Sequence, residues 1–170
     1  MPDHVLRLRE RVGGDLVLQL PSAAVAARDA QGRVLLVRHA IGAWVLPGGS
    51  IEPGEVPADT AVREMWEETG LVVRLTRLVG VYGGADYIVR YPNGDRTSYV
   101  MSVFEALVES GTPRPDGEET LELRFVDEDE ASALAPAGWM PEVLRGVFRS
   151  GAGAGFRAPT WVPSGSTPGT

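Results

Sequence analysis

The hydrophobic and polar positions of the chain follow two periods, and each period predicts one kind of element. Alternating positions and short apolar runs predict strands, whereas apolar residues spaced three and four apart predict helices. The predicted strands are 16–20, 23–28, 34–39, 71–82, 87–91, 98–108 and 121–126. Helices are predicted at 57–69 and 140–148, and the acidic run 127–130 opens another. These elements predict an α/β fold.

The arrangement of the elements follows from their apolar faces. The run 100–108 is strongly apolar, which indicates a strand that is covered on both sides. The helix 57–69 has an apolar side that needs a sheet to pack on. We therefore expect an α/β/α sandwich, in which a mixed sheet lies between the helix 57–69 and one or two C-terminal helices.

The helix 57–69 also carries a crowded acidic face. Pro57 suits its first turn and Gly70 suits its end. At 100° per residue, Glu64, Glu67 and Glu68 share one face, where each like-charge pair costs roughly 0.2–0.5 kcal/mol. The opposite face, which we expect the core to bury, holds Ala58, Val62, Met65, Trp66 and Thr69. A bound divalent cation explains such a cluster, and ligands that are all oxygens favour Mg²⁺ or Mn²⁺ over zinc.

The segment 49–71, GSIEPGEVPADTAVREMWEETGL, resembles the Nudix box. That box has Gly, five residues, Glu, seven residues, Arg-Glu, an aliphatic residue, any residue, Glu-Glu, any residue, Gly and an aliphatic residue. Every fixed position is met, and the approach Trp-Val-Leu-Pro-Gly-Gly at 44–49 is also similar to the family. The resemblance covers roughly residues 20–135. It implies a Nudix hydrolase with a Nudix-type sandwich fold, a metal-dependent pyrophosphohydrolase that cleaves a phosphoric anhydride bond.

The resemblance also implies roles for individual residues. Glu64, Glu67, Glu68 and the carbonyl of Gly48 would hold Mg²⁺ or Mn²⁺. Arg63 joins the catalytic set by pairing with Glu55, which fixes the loop against the helix. The following residues are the alternatives for the general base: Glu64, Glu118 and Glu119. A solvated acidic turn is the alternative interpretation of the last two, and His39 is expected to be a surface or packed residue.

Composition narrows the partners and the location. The net charge of −7 argues against stable binding to nucleic acid or to an anionic membrane. Without cysteine there is no disulfide framework, and no apolar stretch is long enough to span a bilayer. A cytoplasmic protein is the expectation.

The 170 residues suit one domain at 1–149. Its first residues, 1–14, are predicted to form an N-terminal arm, and a flexible tail is predicted at 150–170. The arm is expected to be solvated, with contact to phosphate or to a second copy in a homodimer as the alternative.

The substrate is less well specified than the reaction. Tyr82, Tyr87, Tyr91 and Arg96 are candidates to stack on a base or to bind phosphate. The segment 79–91 has no Pro, so the family's markers for ADP-ribose and NADH hydrolases are missing. We expect a nucleoside diphosphate linked to another group, such as a nucleotide sugar. The alternatives are a nucleoside triphosphate pyrophosphatase and a non-catalytic module that senses a nucleotide.

Overall fold

In a computed structural model of the chain, residues 3–149 and 153–155 are described. The helices are α1 (Asp3–Val12), α2 (Pro57–Thr69), α3 (Glu128–Leu134) and α4 (Met140–Phe148), with a 3₁₀ turn at Ala85–Tyr87. The strands are β1 (Leu18–Arg28), β2 (Val34–His39), β3 (Trp44–Val45), β4 (Gly48–Ser50), β5 (Leu71–Tyr82), β6 (Ile88–Arg90), β7 (Arg96–Gly111) and β8 (Thr120–Val126).

The sheet is mixed, as predicted. Its main path runs β3-β2-β1-β7-β5, while β4 pairs with β1, β6 with β7 and β8 with β2. The two central strands, β1 and β7, run parallel from the pair Leu18 and Thr97 to the pair Arg28 and Leu107. The remaining pairings among these strands are antiparallel.

Helices cover both faces of the sheet, and successive side chains of β1 pack into the two cores in turn. Ala24 and Ala26 belong to a cluster that includes residues of α3 and α4, such as Val143. Val25 belongs to the opposite cluster, which includes Met65 of α2. Successive side chains of a strand point to opposite faces, so a buried central strand carries small or apolar residues throughout. The predicted α/β/α sandwich is confirmed.

The box helix has the predicted bounds, but its buried face was predicted only in part: Met65 and Thr69 are buried as expected, and Val62 and Trp66 are not. Gly70 ends the helix in the left-handed conformation (φ 68°), and its N–H donates to the carbonyl of Trp66. Ala61 and Met65 are fully buried, whereas Val62 and Trp66 are 38% and 51% exposed. The buried stripe follows positions 61, 65 and 68, so it includes the carboxylate end of the helix and leaves Trp66 about 100° further round.

A second correction concerns the predicted break at Pro21. The structure has one continuous strand, β1, where the sequence predicted two strands separated by Pro21 and Ser22. The Pro21 carbonyl accepts a hydrogen bond from the N–H of Ile51, just beyond the end of β4. The N–H that Pro21 lacks would lie on the same side, so proline costs only the reciprocal bond to Ile51, at the point where β4 has ended.

Other boundaries differ at the ends of elements. The predicted strand 87–91 is a 3₁₀ turn followed by the three residues of β6, and β7 is longer than predicted at both ends. Gly155 pairs with Gly80 on the outer edge of β5, so the chain does not extend freely at that point. The rest of the tail predicted to be flexible at 150–170, namely 150–152 and 156–170, lies outside the described residues. No helix in the described part of the chain is both long and apolar enough to cross a membrane.

Candidate active site

The candidate site lies where β4 approaches the acidic side of α2. A Cβ atom on Gly48 would lie 2.3 Å from the carbonyl oxygen of Ala23, so only glycine allows β4 to lie this close to β1. The N–H of Gly48 donates to Oε1 of Glu68 at 2.9 Å. The loop backbone and the helix carboxylates are therefore in direct contact.

Arg63 connects the carboxylates that surround this loop. Its guanidinium donates to both carboxylate oxygens of Glu55, at 2.7 and 3.0 Å, which is the pair predicted from the sequence. It also donates to Glu64 at 2.9 Å and to Glu67 at 3.0 Å. Mainly because of Arg63, the pKa of Glu55 falls to about 2. Arg63 thus holds the loop and two helix carboxylates in one ion-pair network.

Glu68 is the most deeply placed of the acidic residues, with 6% of its surface exposed. Its second oxygen, Oε2, accepts a hydrogen bond from the Thr120 hydroxyl at 2.9 Å. Burial is the main reason that the pKa of Glu68 rises to about 8, and the charges of Glu64 and Glu119 raise it further. In this environment a nearby positive charge would stabilise the ionised form of the carboxylate.

Glu64 has a related environment. Its side chain is 12% exposed and pairs with Arg63. Burial raises its pKa, and the charges of Glu67 and Glu119 add to that effect, while Arg63 opposes it. Glu64, Glu68 and Glu119 are therefore close enough for their charges to interact, although Glu119 lies on the loop before β8.

Glu67 and Glu118 are more exposed than Glu64 and Glu68. The Glu67 side chain is 54% exposed and is bound by Arg63 at the outer surface of the helix. Glu118 is exposed in the loop before β8. The structure thus largely buries two of the three predicted helix carboxylates, Glu64 and Glu68, and leaves Glu67 at the surface beside Arg63, while the charge of Glu119 acts on the first two from the loop.

The chemistry of this donor set fits a hard divalent cation. Among residues 3–149 and 153–155, no three Asp, Glu, His or Cys side chains already surround one point closely enough to hold a metal ion. However, Glu64, Glu68 and Glu119 offer carboxylate oxygens whose charges repel one another, and Gly48 lies against Glu68. Oxygen ligands of this kind are those that Mg²⁺ and Mn²⁺ prefer, and Mg²⁺ needs only one or two carboxylates beside water and substrate.

Two cavities adjoin the site and share a wall made of three side chains, His39, Tyr91 and Tyr99. The first has a volume of about 190 Å³, and the described residues that line it include no Lys, Arg, Asp or Glu. It is lined by Ser22, Ala23, Ala24, His39, Ile41, Ala43, Val45, Leu46, Gly48, Tyr87, Val89, Tyr91, Tyr99, Met101 and Trp139. The second has a volume of about 240 Å³ and is lined by Val5, His39, Ala40, Ser50, Tyr91, Tyr99, Glu118 and Glu119.

Of the four residues predicted to contact the substrate, two line the cavities and two do not. Tyr87 stacks on Trp139 with ring centroids 5.8 Å apart and lines the first cavity. Tyr91 lines both cavities, and its hydroxyl lies 2.7 Å from that of Tyr99. Tyr82 is packed in the core, and Arg96 donates to the carbonyl of Asp15, so neither lines a described cavity.

Sequence reasoning missed residues that reach the site from distant elements. Thr120, Tyr99 and Trp139 were not among the candidates, although each contacts Glu68 or lines a cavity. Thr120 had one signal in the sequence, because it directly follows the candidate bases Glu118 and Glu119. Tyr99 and Trp139 carried none, since an aromatic residue in an apolar stretch usually belongs to the core.

The chain is similar in sequence to a known family and to several known proteins. The family model described as NUDIX domain matches residues 18–147. A MutT-like protein from Streptomyces ambofaciens is 35% identical over 111 residues, which are 65% of this chain and 64% of that protein. An ADP-ribose pyrophosphatase from Methanocaldococcus jannaschii is 36% identical over 94 residues, which are 55% of this chain and 52% of that protein. The chain therefore spans between about half and two thirds of the length of these curated relatives.

A solved structure gives the same fold. The MutT protein from Methanosarcina mazei Go1 has a TM-score of 0.62 to this chain at 22% sequence identity, and the match covers 76% of this chain and 94% of that one. At this identity the likeness concerns the fold alone. The matched region of the family model contains β4, the whole of α2 and the loop before β8, which carry the candidate site.

Proposed function

The chain belongs to the Nudix family, and we propose that it is a divalent-metal-dependent pyrophosphohydrolase that cleaves a nucleoside diphosphate joined to a second group, such as a sugar. The observation that carries this proposal is the course of β4. Gly48 lines the first cavity, Gly49 lies against the carboxylate of Glu64, and Ser50 lines the second cavity. A substrate with a group at each end and an anhydride between them matches this order.

The two cavities suit different chemical groups. The rings of Tyr87 and Trp139, and the lack of charged lining residues among those described, favour a planar uncharged group such as a nucleobase in the first cavity. Glu118 and Glu119 in the second cavity favour a group with hydroxyl donors, such as a sugar, over a terminal phosphate. The relative named ADP-ribose pyrophosphatase acts, by its name, on a substrate of this class.

The residues of the site have distinct tasks in this proposal. Glu64, Glu68 and the Gly48 carbonyl would hold Mg²⁺ or Mn²⁺, with Glu67 at the outer edge. When bound, the metal supplies activation of water and polarisation of the phosphate oxygens. Arg63 orients Glu64 and ties the loop to α2 through Glu55. Glu119 and Glu64 are the leading candidates to accept the proton of the attacking water, because their charges act on each other and on Glu68.

A substrate panel tests this function. Purified protein with Mg²⁺ is incubated in ¹⁸O-labelled water with nucleotide sugars, dinucleotides and nucleoside triphosphates. The products are separated by HPLC and their masses are measured by mass spectrometry. We expect a nucleoside monophosphate and a sugar phosphate, with ¹⁸O on one of them, at a higher kcat/KM than for triphosphates. Faster cleavage of triphosphates would overturn the substrate class, and no turnover of any member would overturn the activity.

A further inference from the structure

The Glu68 carboxylate is held from two sides by groups that are far apart in the chain. Oε1 accepts the N–H of Gly48 on β4, and Oε2 accepts the hydroxyl of Thr120 at the start of β8, each at 2.9 Å. One fixed hydrogen bond to each oxygen sets the plane of the carboxylate. An ionised carboxylate has about four lone-pair positions, so these two bonds orient it and leave capacity for a cation.

Thr120 is itself fixed in place. It is fully buried, and as a β-branched residue it has restricted rotation about χ1. Its N–H donates to Oδ1 of Asp116 at 2.9 Å. The same oxygen accepts the N–H groups of Glu118 at 2.7 Å and Glu119 at 3.0 Å. One carboxylate oxygen thus gathers three consecutive backbone donors.

Two further backbone bonds complete the loop that Asp116 organises. The N–H of Gly117 donates to the carbonyl of Thr120 at 3.0 Å, and the N–H of Ala40 donates to the carbonyl of Glu119 at 2.8 Å. The second bond ties the loop to the end of β2. The loop 116–120 therefore fixes two side chains relative to each other. The hydroxyl of Thr120 binds Glu68, and the charge of the Glu119 carboxylate acts on Glu64 and Glu68.

We propose that Thr120 is a positioning residue that orients Glu68 for metal binding, and that Asp116 is the residue that holds Thr120 and Glu119 in register with the helix. This inference rests on the proposed function and adds two residues to it. A partner that orients a metal-binding carboxylate typically changes metal affinity or activity by about 10–100-fold when it is lost.

The test of Thr120 uses an isosteric pair. Thr120→Val removes the hydroxyl and keeps the shape, whereas Thr120→Ser keeps the hydroxyl. We expect Thr120→Val to weaken Mn²⁺ binding to the substrate-free protein, measured by isothermal titration calorimetry, by about 10–100-fold, and to lower kcat more than it raises KM. Thr120→Ser should recover most of both. Thr76→Val is the control, because Thr76 is exposed on β5 and its hydroxyl donates to the Glu105 carbonyl on β7, away from the candidate site.

The test of Asp116 does not depend on a buried substitution, since Asp116 is exposed. Asp116→Ala removes the shared acceptor, and we expect weaker Mn²⁺ binding, by about 10-fold, and a lower kcat. Asp116→Asn retains a side-chain oxygen and should behave more like the wild type. Asp29→Ala is the control: Asp29 Oδ1 accepts the N–H groups of Gln31 and Arg33 in the β1–β2 turn, so this variant loses the same kind of turn away from the candidate site.

The outcomes separate this inference from the proposed function. If wild-type protein binds no Mn²⁺ and hydrolyses nothing in the panel, the proposed function fails. If the wild type does both, and folded Thr120→Val has a lower melting temperature with unchanged Mn²⁺ affinity and kcat, Thr120 has a structural role only and the inference is wrong. If Thr120→Val does not fold, Asp116→Ala decides: unchanged Mn²⁺ affinity and kcat would overturn the inference, and the expected losses would support it.

Discussion

Gly49 and Glu64 lie so close together that no side chain fits between them. A Cβ atom on Gly49 would lie 2.3 Å from Oε1 of Glu64 and 2.5 Å from its Cδ. The backbone of β4 is thus in direct contact with the Glu64 carboxylate. Glycine at this position allows the contact, and the contact holds the carboxylate beside the path from one cavity to the other.

Gly49→Ala should therefore separate activity from stability. The carboxylate is the end of a flexible side chain, so it can move away from the new methyl group at small cost in unfolding free energy. Its displacement should lower kcat on the order of 10²-fold, because misplacement by about 1 Å can have that effect. Steady-state kinetics and thermal unfolding measure the two quantities. Gly83→Ala is the control, since its Cβ would lie 3.4 Å from its nearest neighbour; a wild-type kcat in Gly49→Ala would contradict the prediction.

Glu68→Gln should abolish most turnover and leave the fold intact or slightly more stable. The change is nearly isosteric and removes a carboxyl whose ionised form is disfavoured by burial, but it deprives the metal of an anionic ligand. A loss of a few kcal/mol in the transition state corresponds to a rate reduction on the order of 10²–10⁴-fold. The measurement is kcat at saturating Mg²⁺ together with urea unfolding. Glu109→Gln, which alters an exposed partner of Arg74, is the control. Near-wild-type turnover of Glu68→Gln would overturn the site assignment.

Divalent metal should be required for turnover and should stabilise the protein. Added Mg²⁺ or Mn²⁺ offsets the repulsion among Glu64, Glu68 and Glu119, so the melting temperature should rise with metal concentration. Differential scanning fluorimetry after EDTA treatment, followed by metal titration, measures this effect. Turnover that continues at the same rate in EDTA would show that the prediction is wrong.

Glu119→Gln and Glu118→Gln form a matched pair that tests the general base. Both side chains are exposed and line the second cavity, and the charge of Glu119 also acts on Glu64 and Glu68. We expect Glu119→Gln to lower kcat strongly and Glu118→Gln mainly to raise KM, both measured on the best panel substrate. If Glu119→Gln keeps its kcat, Glu64 becomes the leading base.

The Glu55–Arg63 pair should appear in the pH dependence of stability. The pKa of Glu55 is lowered from 4.5 to about 2, mainly by hydrogen bonds from Arg63. A carboxyl with a lowered folded-state pKa stabilises the protein fully above its unfolded pKa, and that contribution is lost as the pH falls toward 2. The difference in unfolding free energy between wild type and Glu55→Gln should therefore be largest above about pH 5 and smallest near pH 2. A constant difference across this range, measured by denaturant unfolding, would contradict the prediction.

Several elements were predictable because their signals are local. Pro57 and Gly70 mark the ends of α2, and both bounds agree with the structure. The bounds of β2, β5 and α4 also agree, because turn residues or a change of period mark each end. The pairing of Arg63 with Glu55 followed from the family resemblance, and its geometry is as expected.

The sequence by itself therefore determined the family, the α/β class and the helix that carries the glutamates, since these depend on neighbouring residues and fixed spacings. Only the tertiary structure decided which groups meet Glu68, because the Thr120 hydroxyl reaches it from 52 positions away and the charge of Glu119 acts on it from the preceding loop. It also decided which face of α2 is buried, since the rotation of the helix depends on the sheet beneath it and on polar donors that satisfy Glu68. Local periodicity places residues on faces of a helix, but contacts between distant elements choose the face that becomes the site.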